Sequence, residues 1–530
     1  MSWTPEYIKA SESNCFSPLI TDYLNRKEEL KACIEDFHST DAVKKRIENR
    51  PFSLASRQLL TEVLREQYND LNLLPETEGA LNQLLNENCF TVCTAHQPCV
   101  LTGPLYFIYK IVHAIRLCAH YRSFFPDHHF VPVFYVGSED HDLEEIGHVS
   151  FGNKDYHWST NQKGACGRMH PGELKFLLDE LKPFIHWGKE NEKQFFELLE
   201  TAYTTQPTLA RATRFIVHSL LGQYGLLVMD ADDPRFKKQF ASVMHDELLH
   251  SVSVEKVHLQ AVRLSINYTL QATPRAINLF YLGDQFRERI ERDGDQWRVH
   301  NSSICWNQEA LEMELEQFPE RFSPNVILRP LLQERILPNV TFIGGGGELA
   351  YWMELKAVFD HFQIPFPLLV LRQSVLWLNV KTSKNQLASG ISNQGLFQTA
   401  DQNMRVFFRQ DLQYQELEKA MAPMHQSFDL LRQLADADVL LQRSVEAHLA
   451  GMKRLQERIN KKFLNRFRRI HSERLQKLRG IYEYVFPGGI LQERRSSLFD
   501  ILKECQEDPI ELLMKYTDPD GQRFLILRHE

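Results

Sequence analysis

Val131-Pro132-Val133-Phe134-Tyr135-Val136 runs directly into Gly137-Ser138-Glu139-Asp140-His141-Asp142, and this passage from an unbroken apolar run into a polar turn decides the fold class. A run with no charged residue suits a strand buried on both faces, as in a parallel sheet, rather than one that alternates between core and water. Similar runs occur at Phe90-Thr91-Val92-Cys93, at 226–229 and at 276–281. Helix-like stretches at 104–121 and 234–249 separate them, which predicts an α/β chain with an open, mostly parallel sheet. Ligands of such sheets bind beyond the carboxyl ends of the strands, so chemistry is expected in the turns that follow the runs.

Outward from this core, residues 1–88 read as helices, with Leu59, Leu60, Val63, Leu64 and Leu71 near helical spacing. Residues 153–221 read as a largely helical insertion placed to cover the site. Beyond 383 the strand signals stop. Leu417, Met421, Met424, Phe428 and Leu431, then Val445, Leu449, Met452, Ile459, Phe463 and Ile470, recur mostly at steps of three, four and seven, which predicts an antiparallel helical hairpin or coiled coil bending near Asp436-Ala437-Asp438. Its basic stretch, 453–479, reads as a solvated face, or one against an acidic partner, in preference to a nucleic-acid site. Pro487-Gly488-Gly489 ends the helix. The expected division is a core at 1–382, a coiled coil at 383–485 and a segment at 486–530 that packs back on the core.

With 530 residues the chain exceeds a single core. Its 43% hydrophobic and 25% charged content is that of an ordinary soluble domain, and a net charge of -8 gives no general attraction to nucleic acid. No apolar run reaches the ~18 residues of a membrane span, and Met1-Ser2-Trp3-Thr4-Pro5-Glu6 lacks the basic-then-apolar pattern of a leader; a cytoplasmic protein is expected. Nine scattered cysteines without a Cys-x-x-Cys pair argue against both a disulfide framework and a thiolate zinc site.

Three turns can carry chemistry. Thr94-Ala95-His96-Gln97-Pro98-Cys99-Val100-Leu101-Thr102-Gly103-Pro104 leads into a helix predicted to start at Pro104, which would aim free N–H groups at the sheet end; an ordinary strand-to-helix turn is the alternative. After Val136, Glu139, Asp140, His141, Asp142, Glu144 and Glu145 crowd ionisable groups together, and their repulsion shifts pKa values. Were a helix to begin at Ser138, His141, Glu145 and His148 would share a face able to hold a divalent metal; an acidic helix cap is the plainer alternative. In Phe342-Ile343-Gly344-Gly345-Gly346-Gly347-Glu348, glycines let backbone N–H groups approach a ligand, and Glu348 can complement a helix dipole, bind an amine or act as a base. Asp230-Ala231-Asp232-Asp233 reads as a helix cap, and His218 and His245 as ordinary helix residues.

Taken together with Pro367-Leu368-Leu369-Val370-Leu371-Arg372-Gln373-Ser374 and Phe486-Pro487-Gly488-Gly489, these motifs resemble, in order and spacing, the BshC family of bacillithiol biosynthesis. The resemblance implies a Rossmann-like core with a connecting insertion, a coiled coil used for homodimerisation, and a cysteine ligase that joins cysteine to glucosaminyl malate. It implies substrate contacts from His96, Gln97, Gly344, Gly345 and Gly347. His141 would be the general base, oriented by Asp140 or Asp142, with Glu139 and Glu348 completing the catalytic set. A separate nucleotide pocket between core and coiled coil, with Ser374 and Arg494, would take ATP or ADP, and no metal is expected beyond magnesium carried with the nucleotide. No His-Ile-Gly-His or Lys-Met-Ser-Lys-Ser pair is present, so adenylation rests on analogy. Where the family has Thr-Gly-Gln-Gln-Pro-Gly and Gly-Gly-Pro-Gly-Glu, this chain has Thr94–Cys99 and Gly344–Glu348 as quoted, a departure that bears on the substrate more than on the fold. Two other classes remain: a dimeric nucleotide-binding scaffold without its own turnover, and a metal-dependent hydrolase built on His141, Glu145 and His148.

Overall fold

Buried apolar runs give the core sheet. The structure is a computed structural model that describes residues 3–152 and 154–529; Met1, Ser2 and Asn153, the first residue of the expected insertion, lie outside them. Within it β1 (Cys89–His96), β2 (His129–Val136), β3 (Leu227–Asp230), β4 (Asn339–Gly344) and β5 (Leu368–Leu371) form one sheet in the order β5-β4-β1-β2-β3. Every pairing in it is parallel. The order reverses between β1 and β4, the switch point at which such sheets open a crevice. Register aligns the carboxyl ends: His96 pairs with Val136, Val136 with Asp230, and Gly344 with Leu371.

Helices cover both faces of the sheet. α1 (Tyr106–Phe124), which follows β1, is buried along most of its length, and α2 (Pro234–His250) follows β3, capped by Asp233, which accepts the Arg235 N–H at 2.9 Å. α3 (Gly346–Met353) follows β4. Two buried arginines from the helical N-terminal part tie down the strand entries. Arg57 donates to the carbonyls of Leu84, Glu87 and Cys89 at 3.1, 3.0 and 2.9 Å, and Arg50 donates to those of Glu334, Leu337 and Asn339 at 2.5, 2.5 and 2.9 Å. A guanidinium presents several donors in one plane, which lets a single side chain satisfy carbonyls left over before a strand begins.

The chain divides into two compact units, Trp3–Trp377 with Gln492–Leu527, and Leu378–Leu491 with Arg528 and His529. In the larger unit the Leu525 N–H donates to the Ser374 carbonyl at 2.9 Å, and Trp3 meets Trp377 edge to face at 5.0 Å. In the smaller unit α4 (Leu412–Leu434) and α5 (Val439–Ile470) form an antiparallel hairpin. Asp438 caps α5, and Arg432–Glu446 at 2.6 Å and His425–Gln456 at 3.0 Å cross the seam. Met421, Leu449 and Met452 are buried, whereas Leu434 and Leu440 at the tip are 73% and 75% exposed.

Three expectations are corrected. The 276–281 run does not join the parallel sheet: Leu279–Gly283 pairs antiparallel with Phe286–Asp293 in a separate sheet, because the Gly283 turn is followed at once by a second strand and leaves no room for a crossover helix. The helix after β1 begins at Tyr106, not Pro104. Leu101, Thr102 and Gly103 all take positive φ (55°, 65° and 59°), and the Leu105 N–H is spent on the Ser496 carbonyl at 2.9 Å. Trp3–Lys9, within the part expected to be helical, is a strand; the described residues of 153–221 are largely helical as expected, after a β-hairpin of His148–Phe151 with Lys154–His157. Among the described residues no helix is long and apolar enough to cross a membrane.

Arg57, 1% exposed, tests this account of the strand entries. Arg57→Leu removes this donor from the two buried carbonyls, of Leu84 and Cys89, at about 1–3 kcal/mol each before relaxation, so thermal unfolding should begin several degrees below wild type; an unchanged midpoint would contradict the assignment.

Candidate active site

Strand ends, turns and the antiparallel sheet enclose a cavity of about 640 Å³ at the switch point. Gly137 N–H donates to the His96 carbonyl and Arg372 N–H to the Gly344 carbonyl, each at 2.8 Å, so the turns after β1 and β2, and after β4 and β5, leave the sheet in joined pairs. Lys110 of α1 and Glu348 of α3 meet across the switch point at 2.5 Å. Lys110 also donates to the Ala95 carbonyl at 3.0 Å, and Glu348 accepts the Gly345 N–H at 2.7 Å. Burial works to raise the Glu348 carboxyl, but Lys110 and the Gly345 N–H hold it below its ordinary range, while burial lowers Lys110. Glu348 is therefore an ionised, committed carboxylate.

That commitment revises the glycine turn. None of Gly344 to Gly347 has positive φ, and the Gly345 N–H that would meet an anion is already taken by a carboxylate of like charge. Glycine at 344 suits the packing, since a Cβ there would lie 2.7 Å from Leu349 Cδ1 and 2.8 Å from Phe342 Cε1 and would make those side chains shift; at 347 it leaves open space. Gly345 and Gly347 line the cavity, but Gly344 does not.

His96 and Gln97 both line the cavity. His96 is held by the Gln97 carbonyl at 3.1 Å and the Tyr106 hydroxyl at 3.3 Å, and burial, then Lys110, pushes its pKa down to about 3, so the ring is neutral. The Gln97 amide donates to Asp140 at 3.1 Å and to Glu145 at 3.0 Å. Among the described residues neither carboxylate has a lysine or arginine in ion-pair contact. Burial raises the Glu145 carboxyl. For Asp140, Arg287 and hydrogen bonds from Asp142 and Gln97 outweigh the effect of burial and lower it.

The acidic turn does not start a helix at Ser138. The helix is a single turn, Leu143–Ile146, capped by Asp142, which accepts the Glu145 N–H at 3.0 Å; His148 already belongs to the hairpin. Hence His141, Glu145 and His148 share no helix face. Glu139 is buried on Lys237 and Ser138 on Asp230, while Asp232 takes a bidentate pair from Arg168 at 2.6 and 2.7 Å. The insertion supports this turn from behind: Cys166 and Gly167 N–H groups donate to the Asp140 and Ser138 carbonyls at 2.7 and 2.8 Å. Gly167 is required there, because a Cβ would lie 2.3 Å from that of Ser138. Contrary to expectation, none of the described residues of 153–221 lines the cavity.

Other expected residues are placed differently. His141 and Asp142 are not among the cavity-lining residues; the side chain of His141 is 45% exposed, and its Nδ1 meets Arg287 Nη1 at 2.9 Å. Ser374 is buried and donates to Glu493, which also forms a bidentate pair with Arg372 at 2.6 and 3.0 Å. Arg494 lines the cavity. Sequence reasoning missed Lys110, Arg287 and Arg329. Lys110 had a signal, as a lone cation in the apolar run Phe107 to Val112.

The Lys110–Glu348 pair sets a pH-dependent stability. In the wild type Glu348, held below its ordinary range, stabilises the fold at neutral pH, a contribution lost as pH falls through its folded value. Lys110→Met strands the carboxylate at a cost of about 3–5 kcal/mol. Burial then raises Glu348, so its charged form is penalised as pH rises. Thermal unfolding should show a larger deficit at pH 8 than at pH 5, partly relieved in Lys110→Met/Glu348→Leu; an equal deficit at both pH values would contradict the pairing.

Comparison with known proteins bears on the same residues. A model described as "Bacillithiol biosynthesis BshC, N-terminal Rossmann-like domain" matches residues 4–373, and one described as "Bacillithiol biosynthesis BshC, C-terminal coiled-coil domain" matches residues 375–529. A relative from Flavobacterium psychrophilum, named "Putative cysteine ligase BshC", is 36% identical over 98% of this chain and 99% of its own. Relatives of the same name from Flavobacterium johnsoniae and Cytophaga hutchinsonii are 35% and 32% identical over 98% of this chain, covering 99% and 98% of theirs. With both units matched and full-length relatives above 30% identity, the chain belongs to the BshC family of bacillithiol biosynthesis.

Proposed function

We propose that this chain is a cysteine ligase that joins the carboxyl of cysteine to the amine of glucosaminyl malate. The observation that carries it is the cavity's division of charge. Lys110 and Arg372 are neutralised by carboxylates, but Arg287 and Arg329 take part in no ion pair among the described residues, and neither Glu145 nor Asp140 has a lysine or arginine in ion-pair contact. A cavity with uncommitted charges of both signs suits one substrate that brings a carboxylate and another that brings an ammonium.

The glucosaminyl amine arrives as an ammonium, which must lose a proton before its nitrogen can attack the activated carboxyl carbon of cysteine. Asp140 and Glu145, bridged by Gln97, supply the acceptors for that ammonium. Glu145 is the better proton acceptor of the two, since burial raises its pKa whereas Arg287 and hydrogen bonds lower that of Asp140. Glu348 and Glu139 hold the walls in place through Lys110 and Lys237. ATP is the proposed co-substrate on chemical grounds, since an unactivated carboxylate does not condense with an amine in water. The glycine turn and Ser374 do not fit its phosphates: Glu348 occupies the Gly345 N–H, and the Ser374 hydroxyl is spent on Glu493.

We further propose a homodimer formed through the helical hairpin, supported by the exposed Leu434 and Leu440 at its tip, and a cytoplasmic setting, supported by nine free cysteines, which a reducing compartment preserves.

Purified protein given glucosaminyl malate, cysteine and ATP should form bacillithiol, and omission of ATP should stop it. Glu145→Gln should lower kcat by about 10²-fold or more; a wild type inactive under these conditions would overturn the assignment. Light scattering should report a dimer that Leu434→Glu/Leu440→Glu converts to a monomer, whereas a wild-type monomer would refute the dimer.

A further inference from the structure

Arg287 is a buried cation that, unlike Arg50 and Arg57, lines the cavity. Only 9% exposed, its guanidinium lies 4.0 Å from the Phe280 ring centroid and is fixed on three sides by neutral acceptors: Ser323 Oγ at 3.0 Å, the Pro324 carbonyl at 3.1 Å and His141 Nδ1 at 2.9 Å. Glu139 and Asp140 offset part of the cost of burying this guanidinium, but neither is in ion-pair contact with it among the described residues, and burial still lowers its pKa. Arg329 also lines the cavity. It donates to the Tyr351 hydroxyl at 3.0 Å and lies 5.8 Å from the Tyr135 ring centroid, again with no carboxylate in ion-pair contact among the described residues. Arg329 is close enough to Arg287 to oppose its charge. Two guanidiniums that repel one another, neither in ion-pair contact with a carboxylate among the described residues, line the same cavity, a setting that an added anion stabilises.

The partner of Arg287 settles a second point. An arginine can only donate, so the His141 Nδ1 facing it must offer its lone pair. The ring is then neutral with its proton on Nε2, in keeping with a pKa lowered by burial and by Arg287. The lone pair a general base would use is already engaged, and the ring is absent from the cavity lining.

We propose that Arg287 and Arg329 form a carboxylate subsite, and that His141 acts as a positioning residue that aims Arg287 into it. The class of anion follows from the acidic part of the lining. Glu139, Asp140, Glu145, Asp232 and Glu348 also line the cavity, so a planar carboxylate head, with a single charge at the subsite, meets less repulsion there than a phosphate with its charge concentrated on one group, and it matches the guanidinium fork. Naming the carboxylate as the malyl arm rests on the ligase assignment; the subsite itself does not.

Calorimetric titration of the full-length protein with L-malate, in the absence of cysteine and nucleotide, tests the subsite without turnover. Arg287→Gln and Arg329→Gln should each weaken malate at least about 10-fold, while inorganic phosphate should bind no better to wild type than to the variants. Equal malate affinity in wild type and Arg329→Gln overturns the subsite, and selective loss of phosphate binding overturns its carboxylate class. Should Arg287→Gln fail to fold, Arg329→Gln decides alone, since its guanidinium is less tightly enclosed.

For His141, Asn can present an acceptor to Arg287 where Ala cannot. His141→Ala should weaken malate several-fold and His141→Asn should restore it, with KM for glucosaminyl malate moving and kcat changing less than about 3-fold. A collapse of kcat at unchanged malate affinity would overturn the positioning role. Absence of ligation alongside the expected malate pattern would refute the ligase assignment and leave the subsite standing.

Discussion

The ion pair between Lys110 and Glu348 is the constraint on which the mouth of the cavity depends. It joins the helix after β1 to the helix after β4 across the point where strand order reverses, and it does so largely out of water, where either charge alone would be destabilising. By taking the Gly345 N–H and the Ala95 carbonyl as well, the pair fixes both turns that border the crevice. Its charge also reaches His96, where Lys110 adds to burial in keeping the ring neutral.

From that anchor the cavity's charges separate into two kinds. Lys110 and Arg372 in the lining, and Lys237 and Arg168 behind it, each meet a carboxylate and hold turns together; Arg287 and Arg329 feel nearby carboxylates but have none in ion-pair contact among the described residues. On the acidic side, Glu139, Asp232 and Glu348 are spent in ion pairs with a lysine or arginine, whereas Asp140 and Glu145 share the amide of Gln97. Rigid charges left uncommitted in a partly enclosed cavity favour substrate groups of opposite sign without reorganising when those groups arrive. The same distinction explains why the Gly345 N–H, held by Glu348, is not offered to an anion.

The core sheet was legible because β1, β2 and β3 are nearly continuous apolar runs, and the helical hairpin because its steps of three and four extend over many turns. Less of the site could be read. Helix periodicity placed His141, Glu145 and His148 on one face, but Asp142 caps a single turn and Gly147 precedes a hairpin, so the face never forms. Arg287 sits in Phe286–Asp293, where arginine and glutamate alternate as on any solvated strand. What makes it distinctive, Ser323, Pro324, Phe280 and His141, comes from distant parts of the chain. The acidic turn was found, yet the roles within it depend on which carboxylates already have a cation beside them, and no local pattern carries that information.

The central claim is that this cavity performs the cysteine-adding step of bacillithiol formation. Profiling the thiols and their precursors in a host strain that lacks this chain tests it most directly. The account predicts loss of bacillithiol with accumulation of glucosaminyl malate; an undiminished bacillithiol level, with no precursor accumulating, would contradict it.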